Sequence, residues 1–152
     1  MDTEQIVLAS RPVGLPTPAN FRLQNITLPE LQKEEVLLQG MFYSVDPYMR
    51  GRMNAGESYV PAFEIDKPVE GGVIAKVVTS KSANFIAGDV VSAMLPWQVQ
   101  AIAPAKALKK IDETLAPASY YLGILGIPGL TAYFGFLEIG KPKNAETVMV
   151  SG

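Results

Sequence analysis

The side chains that could do acid–base chemistry in this chain are tyrosines, lysines and carboxylates, because its 152 residues contain no cysteine and no histidine. Disulfides, zinc sites built from thiolate or imidazole, and Ser-His-Asp or Cys-His catalysis are therefore excluded within the chain. We expect no metal site. Any general acid must be a Tyr, Lys, Asp or Glu, or must come from a part of the protein outside this chain.

One short segment, residues 43–53, brings an acid, two phenols and two guanidinium groups together. Asp46 precedes a proline, a pair that favours a turn, so we expect Asp46 to cap that turn. Tyr48 could donate its phenol O–H to an oxygen that gains charge during a reaction, or it could simply pack beside the proline turn. Arg50 and Arg52 could neutralise cofactor phosphates or a substrate carboxylate. The alternative, which we favour for the arginines, is a structural ion pair with Asp46 or another acid.

The elements that position this segment are predicted to be short β-strands. Alternating apolar and polar side chains, β-branched residues and bounding turn residues support this interpretation. The predicted strands cover residues 5–9, 21–28, 35–45, 69–79, 90–95, 97–103 and 107–111. Gly71 and Gly72 lie inside the fourth strand and indicate a bulge or the close approach of another segment. Short strands separated by turn residues are typical of a compact barrel or sandwich.

The pattern changes after Asp112, where Ala and Leu become frequent. Pro128 suits the first position of a helix, and the apolar residues that follow it have a helical spacing until Gly140. Residues 146–152 then read as an apolar strand that runs into a glycine.

A helix, a short loop, a strand and a glycine in this order are typical of the start of a doubly wound nucleotide-binding domain. We therefore predict two parts: a first domain at residues 1–116 and the start of a truncated nucleotide-binding domain at 117–152. Because the last strand has no partner strands in the remaining sequence, we expect the chain to be a fragment of a longer protein.

Charge and hydropathy narrow the range of partners. The net charge is −2 with no basic block, so we expect no nucleic-acid partner. The longest apolar stretch is interrupted by glycines and a proline, and the acidic N-terminus lacks the positive region of a signal peptide. We therefore expect a cytoplasmic protein with no membrane partner.

Four segments together carry a family resemblance that spans nearly the whole chain: 9–21, 43–53, 64–78 and 122–142. In this combination the chain resembles the zinc-independent medium-chain dehydrogenase/reductases. Within them it is similar to the branch of prostaglandin reductases, leukotriene B4 12-hydroxydehydrogenases and plant double-bond reductases. The resemblance implies a mainly β fold. A GroES-like, partly open antiparallel barrel would form the catalytic domain, followed by the first helix and strand of a truncated Rossmann domain.

The resemblance also implies an activity: an NADPH-dependent oxidoreductase that reduces the C=C bond of α,β-unsaturated ketones or aldehydes without zinc. The substrate would be a small-molecule enone or enal. NADPH would be bound mostly by the missing C-terminal domain, so the 152-residue fragment alone is expected to be inactive. Relatives are often dimers through that domain, which leaves a homodimer of the full-length parent open. The alternative is a non-catalytic GroES-like binding or structural module, because a fold does not fix a function.

The resemblance assigns three candidate substrate residues. Tyr48 matches a tyrosine that lies near the substrate in relatives, so it is the candidate catalytic and substrate-binding residue. Gly72 stands where several plant relatives carry a tyrosine, and its lack of a side chain would leave the substrate site more open. Trp97 could wall the substrate cleft, although a single tryptophan is more often part of the core.

Three residues are candidates for binding the cofactor. Ile127 and Thr131 lie in the junction segment that passes the nicotinamide in the superfamily. The Thr131 hydroxyl could bond the carboxamide, or it could bond back to its own helical turn. Arg50 is the third candidate, through the phosphates.

Overall fold

The fold is described by a computed structural model that covers residues 1–56 and 60–151. Each of the seven strands predicted before Asp112 has a counterpart in this part of the chain. The strands are β1 (Asp2–Leu8), β2 (Phe21–Thr27), β3 (Glu35–Tyr43), β4 (Glu70–Ser80), β5 (Val90–Pro96), β6 (Gln100–Pro104) and β7 (Lys109–Lys110). The helices are α1 (Pro47–Arg52) and α2 (Ile127–Tyr133), and a π-helical segment, Phe134–Gly140, continues α2. Short 3₁₀ turns cover Pro18–Asn20, Ala105–Ala107 and Ala118–Leu122.

The strands form two antiparallel sheets that close into a partly open barrel. Five of them pair in the order β6-β3-β4-β5-β7, and β1 pairs with β2. Strand β1 joins the two sheets because the Ile6 N–H donates to the Trp97 carbonyl at 2.9 Å and the Val69 N–H donates to the Ile6 carbonyl at 3.0 Å. The mainly β, antiparallel fold class predicted from the sequence is confirmed.

The main core lies on one face of the five-stranded sheet. Strand alternation places buried apolar side chains there, and the cluster comprises Val36, Leu38, Val73, Ala75, Val77, Phe85, Val91, Leu95, Ala103 and Ala105. The other face of β4 buries Ile74 beneath the 3₁₀ turn at Ala118–Leu122. This turn bridges the barrel and the C-terminal helix, so it forms one wall of the space between them.

The glycine pair in β4 marks a close approach, one of the two possibilities that the sequence indicated. A Cβ on Gly71 would lie 2.3 Å from Cε of Met49, and a Cβ on Gly72 would lie 3.2 Å from Cδ2 of Leu122. The irregularities in β3–β4 pairing occur elsewhere, between Leu37 and Leu38 and between Gly40 and Phe42.

The C-terminal segment begins as predicted and ends differently. Helix α2 starts with Pro128 in its first turn, and helical structure stops at Gly140. The predicted strand at 146–152 is not formed in the described residues 146–151, and Gly152 lies outside them. A strand needs a neighbour for its N–H and C=O groups, and the described part of the chain places none beside it. None of the helices in that part combines the length and hydropathy needed to span a bilayer.

Candidate active site

A largely apolar cleft of about 540 Å³ lies between the barrel and the C-terminal segment. Its walls come from the loop and helix at 44–48, from β4, β5 and β7, and from residues 121–130. The lining residues are Ser44, Asp46, Pro47, Tyr48, Gly72, Ser92, Ala93, Met94, Lys109, Tyr121, Leu122, Leu125, Gly126, Ile127, Pro128 and Leu130.

The loop that leads into α1 is fixed by a buried serine. The Ser44 N–H donates to the Gly72 carbonyl at 2.8 Å, which ties the loop to β4. The Ser44 hydroxyl donates to the carboxylate of Asp46, which occupies the N-cap position of α1. Asp46 therefore stands where a cap was expected, but its carboxylate holds Ser44 and makes no side-chain bond to a helix N–H. Because Pro47 opens the helix, its missing N–H costs no bond.

Tyr48 lies in the first turn of α1 and lines the cleft. Its ring is half-buried and packs against a cluster that includes Leu8, Met49 and Phe63. The catalytic and the packing interpretations of Tyr48 are therefore compatible in this structure: one side of the side chain packs, and another side borders the cleft.

Gly72 also lies in the cleft wall, beside the loop that carries Tyr48. A Cβ at this position would be 3.5 Å from Cβ of Ser44 and 3.2 Å from Cδ2 of Leu122. The glycine thus lets the 3₁₀ turn and the Ser44 loop meet over β4, and a large side chain here would extend into the cleft.

Trp97 does not line the cleft. It borders a second, apolar groove of about 310 Å³, together with Tyr43 and Gln98. Its backbone is held in the barrel wall, since the Trp97 N–H donates to the Val69 carbonyl at 2.7 Å. The indole N–H is buried and has no hydrogen-bond partner among the described residues. In the same groove the Tyr43 hydroxyl donates to the Gln98 carbonyl, and burial raises the pKa of Tyr43.

Arg50 holds the loop that precedes β2. Its guanidinium donates to the carbonyls of Pro12 and Gly14 and to Oδ1 of Asn54, at 2.7–3.2 Å. The structure therefore does not bring Arg50 into the cleft. The ion pair with Asp46 that we considered is not formed among the described residues.

Arg52 likewise serves the local structure. Its Nε donates to the Pro61 carbonyl at 2.9 Å, and its guanidinium lies 4.0 Å from the centre of the Phe63 ring. This cation–π contact joins the end of α1 to the residues that follow it.

The two cofactor-binding candidates of the junction segment, Ile127 and Thr131, differ in their position relative to the cleft. Ile127 lines the cleft at the first residue of α2 and is 75% exposed. Thr131 is exposed one turn further on and does not line the cleft. In the described part of the chain its hydroxyl has no hydrogen-bond partner, so the back-bond to its own turn is not made there.

Sequence reasoning missed several residues of the cleft, among them Ser92, Met94, Lys109 and Tyr121. Met94 pairs with Gly72, and Ser92 pairs with Lys109. These pairings place them around the same opening. The alternation of apolar and polar side chains predicted the strands themselves. Which strands pair, and which residues therefore meet at the cleft, cannot be read from the sequence of any single strand.

No group of three or more carboxylates close enough to hold a metal ion occurs within residues 1–56 and 60–151.

Known proteins similar to this chain are oxidoreductases. Residues 4–111 match the family described as the N-terminal domain of oxidoreductase. A Bacillus subtilis protein, YfmJ, whose name provisionally assigns it to the NADP-dependent oxidoreductases, is 54% identical over 98% of this chain and 44% of its own length. The NADP(+)-dependent 2-alkenal reductase of Nicotiana tabacum is 40% identical over 99% of this chain and 46% of its own length. Prostaglandin reductase 1 of Sus scrofa is 42% identical over 91% of this chain and 41% of its own length.

A solved structure agrees with these relatives. CurA from Vibrio vulnificus in complex with NADPH is 42% identical and matches with a TM-score of 0.84 over 92% of this chain and 42% of that chain. This similarity confirms the mainly β fold expected from the sequence. The chain spans less than half of the length of each of these relatives.

Proposed function

This chain belongs to the family of N-terminal oxidoreductase domains. On that premise we propose that it supplies the substrate-side wall of an NADPH-dependent reductase. The enzyme would reduce the C=C bond of α,β-unsaturated ketones and aldehydes without zinc. The predicted resemblance to the prostaglandin and alkenal reductases is confirmed by the relatives, and their names supply the substrate class that we carry to this chain.

The observation that carries this proposal is the position of Tyr48. Its phenol stands on the wall of an apolar cleft whose lining also includes Ile127 and Leu130 of the junction segment. An apolar cleft with a few polar groups is the usual form of a small-molecule site. A phenol at its edge can donate a hydrogen bond to a substrate carbonyl.

The chemistry needs such a donor. When bound, NADPH supplies the hydride that reaches the β-carbon of the substrate, and negative charge then develops on the carbonyl oxygen. The Tyr48 O–H would hold that oxygen as its charge grows, and a proton added to the α-carbon completes the reduction. The apolar lining would exclude water and strengthen this hydrogen bond.

The residues present fit a nicotinamide at the junction end of the cleft. Ile127 and Leu130 are exposed apolar side chains on one side of α2, a surface suited to the flat face of an aromatic ring. The Thr131 hydroxyl, exposed on the same helix, could bond the carboxamide. The chain has no thiolate or imidazole ligands for zinc. In our proposal the phenol therefore takes the place that a metal holds in zinc-dependent relatives.

The proposal is tested with a chimaera that joins this chain to the C-terminal part of the Bacillus subtilis relative, beyond the matched segment. The chimaera should oxidise NADPH in the presence of a 2-alkenal and yield the saturated aldehyde. Proton NMR distinguishes this product, which keeps its aldehyde proton and loses its vinylic protons, from the isomeric allylic alcohol of the same mass that carbonyl reduction would give. A folded chimaera that binds NADPH and reduces neither alkenals nor enones would contradict the proposal and favour a non-catalytic module.

A further inference from the structure

Two consecutive lysines in β7 lie on opposite faces of the sheet. The Lys110 ammonium bonds the Asp89 carboxylate at 2.7 Å and lies 5.5 Å from the centre of the Phe85 ring, on the core side. Lys109 lines the cleft on the other face. Successive side chains of a strand point to opposite faces, so the pairing of β7 with β5 alone decides which lysine reaches the cleft.

Lys109 carries the one positive charge in the cleft lining, and its ammonium has neither an ion pair nor a hydrogen bond among the described residues. The other charged lining residue, Asp46, adjoins α1 at the Tyr48 end, where its carboxylate accepts from Ser44. The cleft is therefore polarised, with a negative group beside Tyr48 and a positive group on β7.

The distance between the two ends follows from the strand pairing. Gly72 in β4 adjoins the Ser44 loop and pairs with Met94, while Lys109 pairs with Ser92, two residues earlier in β5. Two strand spacings across the sheet and two residues along it separate Gly72 from Lys109 by about 12 Å. This backbone separation is comparable with the length of a medium-length chain, so a substrate whose carbonyl lies at Tyr48, on the Gly72 side of the cleft, would extend toward Lys109.

We propose that Lys109 is a specificity-determining residue that selects substrates carrying a carboxylate at the end remote from the reacting double bond. The inference rests on the proposed function of the cleft. The lysine attracts the carboxylate at the β7 end, and Asp46 repels it from the Tyr48 end, so the charge pair also sets the direction in which the substrate lies. The rest of the cleft lining, which is mostly apolar, contacts the intervening chain.

The experiment uses two unreactive product analogues, oxodecanoate with its ketone at the penultimate carbon and the methyl ester of the same acid. Each is titrated into the purified chain while the amide signals of Gly72 and Met94 are followed by NMR. The acid should bind about threefold more tightly than the ester at low ionic strength, and the difference should shrink as salt is added. Lys109→Met should abolish the difference, and Lys109→Arg should retain it.

Lys110→Met is the matched control, because it removes the same charge from the opposite face and should leave the acid-to-ester ratio unchanged. Equal binding of acid and ester to the unaltered chain would overturn the role of Lys109 and leave the substrate cleft intact. Binding of neither analogue would overturn the cleft itself as a substrate site. A titration of the chimaera with NADP⁺ tests whether Lys109 serves the cofactor instead: affinity for NADP⁺ that is lost in Lys109→Met would assign the lysine to the cofactor phosphates and contradict the inference.

Discussion

The backbone N–H of Ser44 donates to the carbonyl of Gly72 at 2.8 Å, and this bond sets the distance between the loop that carries Tyr48 and strand β4. The residue before Gly72 is more crowded, since Gly71 faces Met49 and Trp97. The two glycines therefore face different surroundings: Gly71 contacts the core beneath α1, and Gly72 contacts the cleft wall. They can be distinguished by experiment.

Adding a methyl group should cost much more at Gly71 than at Gly72. A Cβ on Gly71 would lie 2.3 Å from the buried Met49 Cε and 3.3 Å from Nε1 of Trp97, so Gly71→Ala is expected to lower the free energy of unfolding by about 1–3 kcal/mol. At Gly72 the nearest atom, Leu122 Cδ2, is 3.2 Å away and needs to move little. Gly72→Ala should change stability by less than about 1 kcal/mol, since reduced freedom of the unfolded chain offsets the contact. Urea denaturation of both variants measures the difference, and equal costs would contradict it.

Asp89 should make the fold sensitive to acid. Its carboxylate accepts bonds from the Lys110 ammonium and the Ile86 N–H, at 2.7 and 2.9 Å, and these lower its pKa. A lowered folded-state pKa means that the stabilisation is present above the unfolded pKa of about 4, and is lost as pH falls through the folded value.

The variant that tests this is Asp89→Asn. It should be less stable than the parent at neutral pH and should lose less stability between neutral pH and pH values below about 4. Thermal melts across this range supply the measurement. Glu138→Gln is the control, because it removes an exposed carboxylate that has no hydrogen bond in the described part of the chain. Identical profiles of melting temperature against pH for Asp89→Asn and the parent would show that the Asp89–Lys110 pair contributes nothing to the pH dependence of stability.

The barrel could be predicted because its signals are local. Alternation and β-branched residues marked every strand, and two adjacent glycines marked the close approach over β4. The strand predicted at 146–152 was not formed in the described residues, because a strand depends on a neighbour and its own sequence cannot supply one. The π-helical continuation of α2 was also missed, since helical spacing of apolar residues does not distinguish the two helix types.

The site was predicted only in part, for a related reason. Tyr48, Gly72 and Ile127 share the cleft, whereas Trp97 and Arg50 are turned away from it by contacts that the sequence does not reveal. Arg50 bonds the carbonyls of a loop that lies more than 30 residues earlier in the chain. Lys109 was overlooked because its face is fixed only by the pairing of β7 with β5.

The chain should not hold zinc. With no cysteine or histidine it lacks the two side chains that form most protein zinc sites. After treatment with a chelator and dialysis, elemental analysis should find zinc far below one equivalent. Tightly bound stoichiometric zinc would contradict both this prediction and the zinc-free chemistry proposed above.

The isolated chain should bind NADPH only weakly. The chain spans less than half of the length of its NADP-dependent relatives, and the cofactor candidates present here are limited to the junction segment. Calorimetric titration of the chain should therefore show little heat, whereas the chimaera should bind NADPH measurably. Micromolar affinity of the chain alone would mean that the cofactor site has been misplaced.

Replacing Tyr48 by Phe in the chimaera should lower turnover without disturbing the fold. The variant removes the donor to the carbonyl oxygen and keeps the ring that packs against the Met49 cluster. Loss of one such donor typically costs about 2.7–4 kcal/mol of transition-state stabilisation, or roughly 10²–10³ in kcat. KM for an enone should change less, because the carbonyl carries less charge in the ground state than in the transition state.

Tyr121→Phe provides the comparison within the same cleft. Its hydroxyl donates to the Asp112 carbonyl at 2.7 Å, and our proposal gives it no contact with the substrate carbonyl, so its removal should cost far less turnover. Steady-state kinetics with one enone, together with the melting temperatures of both variants, decide between the roles of Tyr48. Unchanged turnover in Tyr48→Phe would leave this tyrosine a packing residue. A large fall in its melting temperature would lead to the same conclusion, because the hydroxyl would then serve the fold.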